Sequence, residues 1–104
     1  MADVEVKQND FGYYLNFTVQ NDDGSVFSIV GYVVTMNVWK KARFPEMLMT
    51  GVCAPVVPAS GTCRYLVIIT DFPTDGEYAM ELEMTKAGEN ISTRTYELTV
   101  TESV

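Results

Sequence analysis

The sequence predicts an all-β fold, a sandwich of about seven antiparallel strands in two stacked sheets with a small barrel as the runner-up, and three observations predict it. Apolar and polar residues alternate with period two along most of the chain. Turn-forming residues interrupt that alternation roughly every ten residues. No segment carries a sustained helical period with caps. The 104 residues suit a single domain spanning 1–104, and with 47% apolar and 12% aromatic residues a packed core is within reach.

Taken in order, Tyr13 to Gln20 sets Tyr13, Leu15, Phe17 and Val19 on one face against Tyr14, Asn16, Thr18 and Gln20 on the other. Asn21-Asp22-Asp23-Gly24 closes that strand with turn residues, and Ser25 to Val30 reads as a short second one. Val33 to Lys40 alternates again, with Val34, Met36 and Val38 opposed to Thr35, Asn37 and Trp39. Lys40 to Pro45 is a basic, proline-ended connection, and Glu46 to Cys53 or beyond is the next strand. Pro55 to Gly61 marks a break or hairpin, and Thr62 to Thr70 is the most apolar strand. Asp71 to Gly76 is a compact turn. Glu77 to Thr85 has the cleanest pattern, with Tyr78, Met80, Leu82 and Met84 expected inward and Glu77, Ala79, Glu81 and Glu83 outward. Lys86 to Asn90 turns the chain back, and Ile91 to Thr101 alternates to the end.

Composition bounds the function. Seven basic against fourteen acidic residues give a net charge of −7 and argue against nucleic acid, whose phosphates call for clustered Lys and Arg, and against anionic membrane surfaces. Met1 to Glu5 has no basic or apolar leader character, and no run approaches the ~18 apolar residues of a membrane span. Without histidine there is no Ser-His or Cys-His nucleophile pair and no imidazole ligand. The glycines are scattered through turns rather than gathered into a phosphate cradle. Glu81 and Glu83 could serve as a glycosidase carboxylate pair, but a solvated strand face explains them better. The acids of Asn21 to Gly24, with Asp71 and Asp75, lack the spacing of a calcium loop and are accounted for by turn capping. The chain is therefore expected to be no enzyme, with no metal and no cofactor.

Cys53 and Cys63 are symmetric about Pro58, so a hairpin there would set them opposite one another, as a disulfide or as two reduced thiols packed as small hydrophobes. Trp39 has the opposite parity from its apolar neighbours; either a bulge turns it inward or it is exposed for contact. With Arg43, Phe44 and Met47 it forms the first place to look for a partner surface, because Trp, Arg and Met are enriched at interfaces.

Asp75-Gly76-Glu77-Tyr78 resembles the tyrosine corner of immunoglobulin-like domains, with Met80 in the place of the bridge cysteine of antibody domains. A narrower resemblance covers roughly Val6 to Glu102. Thr35-Met36-Asn37-Val38-Trp39, Gly51-Val52-Cys53, Gly61-Thr62-Cys63-Arg64-Tyr65 and Asp71 to Tyr78 are similar, in that order, to the immunoglobulin-like N-terminal domain of phage baseplate upper proteins and related tail proteins. The resemblance implies an immunoglobulin-like β-sandwich and a virion structural domain, tail or baseplate, assembled in the host cytoplasm. Its partners would be other virion structural proteins, with a homo-oligomer also compatible, and no catalytic residues carry over. A capsid decoration protein is one alternative. A carbohydrate or host-surface binding module, using Tyr13, Tyr14, Tyr32, Trp39 or Tyr96 as stacking platforms, is another.

Overall fold

In the computed structural model, which describes residues 3–41 and 45–102, the alternating segments become strands because one face of each can be buried. Eight strands are found among the described residues: β1 (Val4–Lys7), β2 (Tyr14–Thr18), β3 (Val33–Lys40), β4 (Glu46–Val57), β5 (Thr62–Leu66), β6 (Gly76–Lys86), β7 (Glu89–Ser92) and β8 (Tyr96–Thr101). They hydrogen-bond in the order β1-β8-β6-β3-β4-β5-β2, with β7 also on β6. The fold is all-β.

β4 explains the shape. Up to Cys53 it pairs with β3, and from Ala54 to Val57 it pairs with β5, so one strand belongs to two ladders and the sheet bends along it. Two irregularities let it do so: Leu48 is an extra residue opposite Val38 and Trp39, and Val56 is skipped between Pro55 and Val57. Pro55 fits in this strand because it lies past the end of the β3 ladder, on the side away from β5, where its missing N–H deprives no partner. A single turn of 3₁₀ helix, Pro58–Ser60, ends in Gly61 at φ 74°, whose N–H donates to the Pro58 carbonyl (3.0 Å).

One hydrophobic cluster fills the concave side. Met36, Val38, Met80, Leu98 and Val100 rise from the central strands and meet Val19, Ile29, Cys63, Val67 and Phe72 from the other side. Apart from Ile29 and Phe72, which enter from loops, these are the inward-parity residues of the alternation, and burying each of the Val, Leu, Ile, Met and Phe side chains contributes about 1.5–3 kcal/mol.

Several expectations are corrected. Among the described residues there are eight strands where about seven were expected, and they join through β4 into a sheet that curls on itself. The sheet is mixed, because β1 runs parallel to β8, Val4 beside Leu98 and Val6 beside Val100. Ser25 to Val30 is no strand. Beyond a bridge between Gln20 and Val26 it joins no ladder; the Phe27 N–H donates to the Val19 carbonyl (3.2 Å), and Ile29, whose N–H reaches the Pro58 carbonyl (2.9 Å), plugs the core. The strand expected over Thr62 to Thr70 stops at Leu66, where Asp71 draws Ile68 into a turn. Ile91 to Thr101 is two strands, since the register on β6 slips by one residue between Ser92 and Tyr96. Ala79, expected outward beside the glutamates, is buried; it lies opposite Trp39 in register.

Candidate interaction surfaces

Trp39 and Met47 do come together. They pair across β3 and β4 just beyond the bulge at Leu48, on the convex face, with Trp39 half-buried and Met47 exposed. The bulge therefore sits on the partner strand and leaves Trp39 on its own parity, over Ala79. Arg43 and Phe44, the other two residues of this candidate surface, lie outside the described residues.

Cys53 and Cys63 are free, buried thiols. They are not directly opposite: the turn at Pro58 to Gly61 and the irregularity at Val56 set Cys63 against Pro55, with Cys53 its diagonal neighbour. Contact with the Cys63 thiol and burial together hold the Cys53 thiol above its ordinary value, so it is not a ready nucleophile at neutral pH.

At the corner, the Tyr78 hydroxyl donates to the Thr74 carbonyl (2.9 Å) beside Gly76, whose φ of 143° suits glycine. A second tyrosine was missed in the sequence. Tyr65 donates to Asp71 Oδ2 (2.7 Å), which also accepts the Ile68 N–H (2.9 Å), and the Asp71 carboxylate is buried. Burial first, then the hydrogen bond and charge of Asp71, push the Tyr65 hydroxyl well above the usual tyrosine range. The Tyr65 ring lies against Gly51, where a Cβ would stand 2.3 Å from it.

Two of the turn acids are engaged as caps: Asp23 Oδ1 accepts from the Ser25 N–H (2.9 Å) and hydroxyl (2.6 Å), and Asp71 accepts the Ile68 N–H. Among the described residues no three acidic, Cys or His side chains gather as a metal would require. Glu81 and Glu83 sit half-buried on the convex face, in register with Asn37 and Thr35. Three of the tyrosines offered as stacking platforms already carry a cation on one face: Arg64 over Tyr14 (4.0 Å), Lys86 over Tyr32 (4.3 Å) and Arg94 over Tyr96 (4.2 Å).

Two features had no counterpart in the sequence reading. The convex side of the β4–β5–β2 limb is apolar and open: Val52 is 68% exposed, Leu66 45% and Tyr14 44%. Leu66 and Tyr14 are register partners, Arg64 lies over the Tyr14 ring beside them, and Ile68 and Ile69 in the loop after β5 are exposed as well. On the other side a groove runs between β2 and the β7–β8 connection, with hollows of about 460 and 410 Å³ that share Thr18, Thr93 and Tyr96. The signal for the first was apolar residues, Val52 and Leu66, at strand positions of the outward parity. The second depends on which strands end the sheet, which alternation does not encode.

No family model matches the chain, and a search of curated proteins finds no significant match.

Proposed function

We propose that this chain is a non-enzymatic assembly module of a phage or prophage particle, a tail or baseplate component that binds other virion subunits through protein–protein contacts. The observation that carries the binding part is the open apolar surface of Val52, Leu66 and Tyr14 on one face of the sheet, since apolar surface gathered on one side of a small domain marks an interaction site. The virion assignment and the immunoglobulin-like sandwich class rest on the ordered motifs from Thr35 to Tyr78, and the corner hydrogen bond of Tyr78 supports the latter.

The test is incorporation. Mass spectrometry of purified particles from the producing strain should find the chain at a fixed ratio to a tail protein. Val52→Lys with Leu66→Lys should abolish that incorporation while leaving the melting temperature within a few degrees, because both side chains face water in the free domain. Particles that contain none of the wild-type chain overturn the reading.

A further inference from the structure

We infer that the free edge of β2 is a docking site for one extended, neutral-to-basic segment of another protein, which adds to the sheet as a strand in the groove beside β2.

The backbone parity sets the edge. The Tyr13 carbonyl accepts from the Val67 N–H (2.9 Å), and the Val19 N–H donates to the Gly61 carbonyl (2.8 Å). In an antiparallel pair such residues alternate, so Tyr13, Leu15, Phe17 and Val19 spend their backbone groups on β5 and its extensions. Tyr14, Asn16 and Thr18 turn theirs the other way, and β2 ends the sheet, with no ladder partner on that side among the described residues. A row of outward N–H and C=O groups is a template for another strand.

Edges that must stay free are guarded by charge, proline or bulges, and the edges here differ. β1, at the opposite end of the sheet, carries Glu5 and Lys7, and β7 opens with Glu89. From Phe11 to Gln20 there is no charge and no proline, and the β2–β5 register is unbroken. Space is present as well: the groove lies along this edge, with half-buried Leu15 and Phe17 on one wall and Val4 and Tyr96 on the other.

Charge selects the occupant. The ionisable residues of the groove are Asp3, Asp22 and Arg94, and the Arg94 guanidinium is already turned to Asp3 (3.9 Å) and to the Tyr96 ring. A second copy would bring another −7 to a net-acidic groove; a segment of opposite charge is steered into it. The inference rests on the assembly reading and specifies its contact: the added strand uses the backbone edge of β2, the Val52–Leu66 patch is side-chain surface, and Tyr14 belongs to both.

Hydrogen exchange by NMR is the test, with the capped peptide Lys-Thr-Val-Thr-Val-Thr-Lys as probe and its Glu-ended counterpart as control. In the free chain the Tyr14, Asn16 and Thr18 amides should exchange fast. Saturating basic peptide should slow them at least tenfold, and the acidic peptide should bind at least tenfold more weakly. Asn16→Pro should remove the protection at Tyr14 and Thr18, yet leave the β5 ladder intact because the lost N–H points outward. Slow exchange of these amides in the free monomer overturns the inference, and so does equal binding of both peptides. Concentration-dependent dimers that protect the same three amides overturn it in favour of self-pairing. If Asn16→Pro particles incorporate the chain normally while Val52→Lys with Leu66→Lys particles do not, the edge proposal fails and the assembly reading stands.

Discussion

At the residue scale, Gly51 and Tyr65 form one device. The ring of Tyr65 occupies the space that a Cβ at position 51 would need, and its hydroxyl satisfies a buried carboxylate. Gly51→Ala should therefore destabilise by about 1–3 kcal/mol, as the ring is displaced from a packed site. Tyr65→Phe should cost about 1–3 kcal/mol, since Asp71 keeps only the Ile68 N–H among the two bonds to Oδ2. Urea titration of both variants measures these, and the combined variant should lose less than the sum because the two residues share one contact. Little of this was legible. A glycine inside a strand signals close approach of something, but the identity of Tyr65 comes from the pairing of β4 with β5, which period-two alternation leaves open. Tyr78 was legible because Asp75, Gly76 and Tyr78 are a local pattern whose hydrogen bond spans four residues.

At the element scale, the best-read strand was β6, because Tyr78, Met80, Leu82 and Met84 face a single core and the outward positions are mostly acidic. Its failure at Ala79 has a tertiary cause, the indole across the strand. The junction of β7 and β8 was read as one strand because Thr93 to Thr95 keeps β-favouring residues through the slip. There the Thr93 hydroxyl accepts the Leu82 N–H (3.0 Å) and donates to the Arg94 carbonyl (3.0 Å), so a side chain bridges the break in the ladder. Thr93→Val keeps the shape and removes both bonds. It should cost about 1–3 kcal/mol and speed exchange of the Leu82 amide, seen by denaturation and NMR respectively.

At the scale of the whole molecule, pH dependence follows from groups tied on opposite sides of neutrality. Hydrogen bonds from Ser25 hold Asp23, and one from Tyr32 holds Glu89, below their ordinary values of 3.8 and 4.5. Their contribution is complete above those values and is lost as pH falls through the lower folded ones. Tyr65 is raised above 10.0, so its contribution is complete below that pH and is lost as pH climbs through the folded value. The urea midpoint should be level between about pH 5 and 9 and decline on both sides. Asp23→Asn with Glu89→Gln should soften the acid limb only slightly, because both carboxylates are exposed, and Tyr65→Phe should flatten part of the alkaline limb, to which Tyr13, Tyr32 and Tyr78 also contribute.

The parallel alignment of β1 with β8 has a mechanical consequence. Asp3 and Glu102 leave this pair at opposite ends and in opposite directions, so tension applied between them slides the two strands along one another. Every hydrogen bond of the pair is then strained at once, whereas a hairpin pulled from its open end would unzip bond by bond. Stretched between residues 3 and 102 in an optical trap, the domain should yield in one abrupt event at high force. Val6→Pro, within this short interface, should lower that force.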